Sequence, residues 1–306
     1  MVPALTDLVA AELAEPVDPR VAAMAAAIAA AHPRAARAVL FYGSCLREQQ
    51  LDGLMLDFYL IVSDYRAAYA KRWLATANRL IPPNVFPFEH EGLAAKYAVL
   101  SEGDFARLCS PAAASVSVWA RFAQPSRLVW AADAAAREAA VATVAEAPVT
   151  LFQMTLPMLD EKESPTDRIW EVGFGLTYGA ELRAERTDKG RSLIAADAAR
   201  YRRFTLPVLG EIGRRKGVGP RGEVPLLASP DAMRRRWRRL RRNGKALTIL
   251  RLLKASLTFA NGIDYLAWKI NRHAGTAIEV KPWQRRWPLV AGLILLPRLL
   301  RRGAIR

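Results

Sequence analysis

Two short apolar runs carry the residues best suited to chemistry. The first ends in Phe41-Tyr42-Gly43-Ser44, and the second holds a lone carboxylate, Asp57, within Leu56-Asp57-Phe58-Tyr59-Leu60. A glycine followed by a serine at the end of a strand lets backbone N–H groups come close to phosphate oxygens. A carboxylate on the next strand would hold the divalent cation that neutralises those oxygens. Lys96, in a third apolar run, would offset charge on the outer phosphates of a nucleotide. If Lys96 instead lay at the surface, it would simply reach for water along its apolar stem.

Phosphoryl chemistry of this kind commonly uses two magnesium ions about 4 Å apart. A frequent solution is Asp-x-Asp on one strand, because alternate residues share a face. Here the second position is Tyr59, so a partner for Asp57 must come from elsewhere. Asp52 in the preceding loop is the first choice, and Glu89 or Glu91 before the third run is the second.

The elements that would position these groups follow from pattern. Residues 4–32 predict two short helices broken at Pro16–Pro19, residues 36–42 and 54–62 two strands, and 65–80 a helix ended by Pro82-Pro83. A third strand is expected at 96–100, with helix starting at 104–108 and again at 116–122. Beyond Trp130 the spacing is helical: 132–147, 149–160, 170–183 with a close approach at Gly173 and Gly175, and 189–209. Residues 213–230 read as a loop, then 231–243 and 248–272 as helices, and 282–302 as a basic apolar tail. The expected fold class is therefore α/β (α+β), with a mixed sheet over 1–130; the Gly-Ser turn followed by a strand aspartate resembles the layout of nucleotidyltransferases, which makes this unit a nucleotidyltransferase-like domain. A helical domain over 131–230 and a basic amphipathic region over 231–306 follow it.

Charge separates the last third from the rest. Residues 1–200 hold 20 Lys/Arg against 24 Asp/Glu, whereas residues 201–306 hold 25 against 5, within a total of +16. Such asymmetry points to a polyanionic partner. Arg234 and its neighbours surround Trp237, and the tail sets Trp283 and Trp287 beside a ten-residue apolar stretch running from Pro288 to Pro297. That is the composition of an anchor lying in an anionic membrane surface; the other reading is a C-terminal helix docked on the core. Nucleic acid fits less well, because base-reading Asn and Gln are scarce and the apolar tail has no use on a duplex. No run is long enough to span a bilayer, and the early acids Asp7 and Glu12 argue against a signal peptide. Two cysteines and three histidines exclude a disulfide framework and a four-ligand zinc site, and fit a reducing compartment.

Phe41-Tyr42-Gly43-Ser44, Leu56-Asp57-Phe58, Lys96-Tyr97 and the segment from Glu171 to Arg183 occur in one order. Over roughly residues 38–210 the series resembles the mitochondrial-type phosphatidate cytidylyltransferases, the translocator assembly and maintenance family of CDP-diacylglycerol synthases. The resemblance implies magnesium and transfer of CMP from CTP to phosphatidate, by a peripheral protein on the cytoplasmic side of a membrane. It implies nucleotide contacts from Gly43, Ser44 and Tyr97, catalysis by Asp57 and Lys96, and metal binding by Asp57 with Asp52. Arg121 and Pro125 match a family Arg and Pro, and Tyr178, Glu181 and Arg183 match a Tyr, an acid and an Arg. Tyr178 and Arg183 would meet the phosphatidate phosphate, for which a guanidinium fork is suited; Arg183 could equally pair with Glu181, Glu185 or Asp188. Cys45 stands where the family has a second glycine, and would narrow the loop, and Ala98 stands at another family glycine. Two other readings share the residues: transfer to RNA, a protein or another phospho-compound, and a degenerate fold serving as an adaptor.

Overall fold

The computed structural model describes residues 3–48, 50–51, 53–159, 165–181, 189–217 and 226–258. Asp52, Arg183, Trp283, Trp287 and the tail at 282–302 lie outside the described residues.

Helices α1 (Leu5–Leu13) and α2 (Pro19–Ala30) come first, with Asp18 capping α2 by accepting from the Arg20 amide at 2.8 Å. Strand β1 (Ala36–Tyr42) runs into Gly43, and the short helix α3 (Ser44–Glu48) starts at once. Strand β2 (Met55–Val62) returns antiparallel to β1. The single helix expected over 65–80 is two, α4 (Tyr65–Ala68) and α5 (Arg72–Leu80). Tyr69 breaks them: its backbone is extended and its buried phenol donates to Asn78 Oδ1 at 3.3 Å.

The next strand is one that the pattern does not reveal. β3 (Asn84–His90) contains Pro87 and lies at a sheet edge, where a missing N–H is tolerated. A two-residue turn at Glu91 and Gly92, φ +48° and +76°, reverses it into β4 (Leu93–Ser101). Helices α6 (Glu102–Cys109) and α7 (Trp119–Phe122) precede a further unforeseen edge strand, β5 (Ser126–Ala131). The sheet order is β3-β4-β2-β1-β5, parallel between β2 and β4 and antiparallel elsewhere. It is a mixed sheet in an α/β fold.

Helix α8 (Ala134–Thr155) is continuous through Pro148, capped by Asp133, whose Oδ1 accepts from the Ala136 amide at 2.7 Å. Contrary to the sequence reading, the stretch Ala134–Met158, which includes a closing 3-10 turn, is long and apolar enough to cross a membrane. It is instead the centre of the core, with 72% of its apolar window buried. Around it stand α9 (Pro165–Tyr178), α10 (Lys189–Ala196), α11 (Ala198–Lys216) and α12 (Pro230–Thr258). Gly173 of α9 takes the expected close approach: a Cβ there would lie 2.8 Å from both Leu151 and Thr155 side chains. Gly175 faces open space.

Both sheet faces are covered, which is why β2 is apolar almost throughout. Val39, Phe41, Phe58, Leu60 and Val99 face α2. Leu40, Tyr59, Ile61, Ala98 and Leu100 face the helices built around α8. The helical region therefore shares one core with the sheet. A buried ion pair adds to it: Arg200 of α11 donates to Glu12 of α1, Nη2 to Oε1 at 2.9 Å, with both side chains 4% exposed.

Candidate active site

Asp57 belongs to the face of the sheet that carries Tyr59 and Ile61, at the end where the helical cover opens. Its neighbours across the ladder are Tyr42 on β1 and Lys96 on β4. Lys96 Nζ lies 3.0 Å from Asp57 Oδ1, with side-chain exposures of 29% and 20%. Water reaches both groups, yet the sheet fixes their spacing.

Gly43 meets the same carboxylate from the other side. Its φ is +100°, a backbone region L side chains avoid. A Cβ built there would lie 2.9 Å from Asp57 Oδ2. The bend at 43–44 and the carboxylate on β2 are thus in direct contact, as the spacing of the two strands suggests. Cys45 does not narrow this bend. Its side chain is buried on the opposite side of the sheet and its thiol donates to the Met55 carbonyl at 3.6 Å.

Two arginines and a glutamate extend the site. Arg121, on α7, donates to the Ser117 carbonyl. Burial works against its charge, but Tyr59, Glu181, Tyr42 and Asp57 more than offset this, so its pKa stands above that of an ordinary arginine. Arg251, on α12, donates through Nη1 to Ser117 Oγ and through Nε to the Pro82 carbonyl, both at 2.8 Å. Burial lowers its pKa, nearby Arg121 adds to that, and Tyr59 and Glu181 oppose it. Lys254, one turn further, donates to the carbonyls of Ile81 and Pro83, the latter at 2.8 Å. Two cations of α12 thus serve three consecutive carbonyls, in a segment where two prolines supply no N–H.

Gly244 makes this docking possible. A Cβ at this position would collide with the Ala180 carbonyl, so α12 seats directly against the residue before Glu181. The helix is held by Met233, Trp237 and Leu240, all buried. Trp237 packs edge-on against Trp119 and donates its indole N–H to the Met154 carbonyl at 2.9 Å. It is an interior residue and not a membrane contact; Arg234, by contrast, is exposed.

Other expected residues fall elsewhere. Tyr97 points to the opposite face from Lys96, as strand alternation requires, and its hydroxyl lies 3.1 Å from His32 Nε2. The His32 Nδ1–H donates to the Ala68 carbonyl, which leaves Nε2 to accept from Tyr97. Tyr178 is half-buried at the end of α9, at the margin of the large core. Glu89 shares Asp57's face but lies on the edge strand beyond β4, two strand spacings across and two residues along, about 12 Å away. Glu91 sits in the β3–β4 turn. Among the described residues no three carboxylate, histidine or cysteine groups cluster as a metal site.

Sequence reasoning missed Arg251 and Lys254. The buried stripe 233, 237, 240, 244 continues at helical spacing to 251 and 254, and that periodicity marks both as inward-facing. The arrangement sets one carboxylate against a glycine bend, an ammonium beside it and two guanidiniums further in. Chemically, that suits a polyphosphate carried with a divalent cation. The class these features define is an α/β protein with a mixed five-stranded sheet and a charged site at one end of its helix-covered face. No family model matches the chain, and no curated protein matches it.

Proposed function

We propose that the chain is a nucleotidyltransferase of nucleotidyltransferase-like fold that moves CMP from CTP to phosphatidate at the cytoplasmic surface of a membrane. The products are CDP-diacylglycerol and pyrophosphate. The observation that carries this reading is the contact between the Gly43 bend and the Asp57 carboxylate. Agreement in order and spacing with the phosphatidate cytidylyltransferases supports it.

Magnesium fits the residues present in a limited way. It commonly takes one or two carboxylates and completes its shell with water and substrate phosphate. Asp57, partly exposed beside an open bend, is such a carboxylate. Asp57 would hold the ion, with Asp52 as the second ligand expected from the sequence. The bound ion would supply charge neutralisation at the triphosphate.

The chain's own groups account for the rest. The bend at Gly43 and Ser44 gives the triphosphate backbone to rest on, with no side chain at 43 in the way. Lys96 keeps Asp57 aimed and offsets phosphate charge. A phosphate-monoester oxygen of phosphatidate attacks the α-phosphorus of CTP, and the bond to the β-phosphate bridging oxygen breaks. The nucleophile is already an anion, so no histidine base is needed. Arg235, Arg238, Arg239 and Arg242 stand exposed on α12 while its apolar face is in the core. That side would rest on anionic lipid, each arginine near the surface contributing roughly 1 kcal/mol.

CTP labelled at the α-phosphate, incubated with magnesium and phosphatidate liposomes, tests the reading. Label entering the lipid phase is the expected result. Label on a macromolecule would move the activity to another acceptor, and no product with any divalent metal would leave an adaptor.

A further inference from the structure

We infer that Arg121 and Arg251 together form a seat for a phosphate dianion, held beside Asp57 by helix α12. Both guanidiniums converge on Ser117, Arg121 at its carbonyl and Arg251 at its hydroxyl, the latter at 2.8 Å. That hydroxyl lies in turn 3.0 Å from buried Ser115 Oγ. The shared residue brings two like charges close together. Among the described residues, neither arginine has a carboxylate within ion-pair distance. Asp57 is engaged by Lys96, and Glu181 acts on both arginines only through space.

The local charge is unbalanced. Among the described residues, Lys96, Arg121 and Arg251 stand against Asp57 and Glu181. An arginine carries five N–H donors. Here the hydrogen bonds use one from Arg121 and two from Arg251. The remaining N–H groups have no protein acceptor among the described residues and none is sealed from the surroundings. Two guanidinium forks with free donors and excess positive charge fit a phosphate group, which each can meet with paired hydrogen bonds. The supporting side of Arg251 is already fixed by the Pro82 carbonyl and Ser117, so little ordering is left for the ligand to cause.

The assignment builds on the reading of Asp57's face as a nucleotide site. The phosphate would be either the monoester of the acceptor or the end of the nucleotide's polyphosphate. Isothermal titration of the full chain with glycerol 3-phosphate and with pyrophosphate, without magnesium, separates them. Glycerol 3-phosphate binding in preference assigns the seat to the acceptor, and pyrophosphate in preference assigns it to the nucleotide.

Arg251→Gln is expected to weaken the favoured anion at least tenfold, and Asp57→Asn to leave binding intact or tighter. Arg251→Lys keeps the charge and can still reach Ser117 but lacks the fork, so it should weaken binding too, even where the Gln variant folds poorly. No binding of either anion by the wild-type chain, or wild-type affinity in both folded Arg251 variants, would overturn the seat. Anion binding lost in Arg251→Gln by a chain that transfers no CMP would keep the seat and remove the cytidylyltransferase reading. CMP transfer by a chain whose anion binding ignores Arg251 would do the reverse.

Discussion

Gly43 leaves its α-carbon bare against the Asp57 carboxylate: a Cβ there would stand 2.9 Å from Oδ2, at a backbone φ of +100°. Two separate constraints thus require glycine at this position. Gly43→Ala is expected to cost on the order of 1–3 kcal/mol of stability through backbone strain. The displaced carboxylate should lower CMP transfer by roughly 100-fold, the scale of a 1 Å misplacement. Chemical denaturation and the liposome assay measure the two effects separately.

Lys96 holds Asp57 Oδ1 at 3.0 Å across the β2–β4 ladder. Its replacement by Met should reduce turnover by about 100-fold, the usual scale for one removed electrostatic contact. Lys96→Arg should recover part of it. Equal loss in both variants would point to the shape of the lysine instead of its charge, and the comparison of kcat and KM for CTP reads this.

Helix α12 presents its two faces to different surroundings. Trp237→Ala removes a buried indole and should destabilise the fold by about 3–5 kcal/mol. Changing Arg235, Arg238 and Arg242 together to Gln should leave the unfolding midpoint nearly unmoved. That triple change should weaken flotation with anionic liposomes by roughly 3 kcal/mol, about 100-fold, at low salt.

Gly244→Ala sets two effects against each other. In an exposed helix the change would stabilise by about 1 kcal/mol. Here the added methyl meets the Ala180 carbonyl, so α12 must shift away from the site. The expected sign is therefore destabilisation, read from the unfolding midpoint, with a parallel loss of CMP transfer.

Two buried bases give stability a pH dependence. Burial, with nearby Arg251 adding to it, pushes the Lys254 ammonium down from 10.5 to about 7. Between those values the unfolded chain binds the extra proton, so stability should rise as pH increases from about 7 toward 10.5. Lys254→Met should flatten that rise. Burial also lowers the His32 pKa from 6.5, with the Ala68 carbonyl opposing. Stability should therefore fall as pH drops below 6.5, where a second ring proton must be held in a buried site and Nε2 can no longer accept from Tyr97. Denaturation series with His32→Gln and Lys254→Met separate the two limbs.

The local part of the site was legible because it is made locally. Gly43 follows one strand, Asp57 and Lys96 sit on two others, the apolar runs announce all three strands, and pairing does the rest. Tyr97 was placed with them by the family resemblance, although a period of two sends it to the face opposite Lys96. Strands β3 and β5 escaped notice because edge strands need neither continuous apolar character nor every N–H, as Pro87 illustrates. Trp237 among arginines reads as an interfacial residue, since an amphipathic helix looks the same whether it faces lipid or a core. Splitting α12 near Gly244 hid Arg251, whose partner Ser117 is 134 residues away in sequence.

The comparison that decides the matter is the rate at which wild-type chain and Asp57→Asn put α-labelled CTP into chloroform-soluble product on phosphatidate liposomes with magnesium. Both proteins should show equal liposome flotation and similar unfolding midpoints, while the variant forms less than about a hundredth of the wild-type product. Wild-type-like turnover by a folded Asp57→Asn protein would contradict the assignment of this carboxylate to the chemistry.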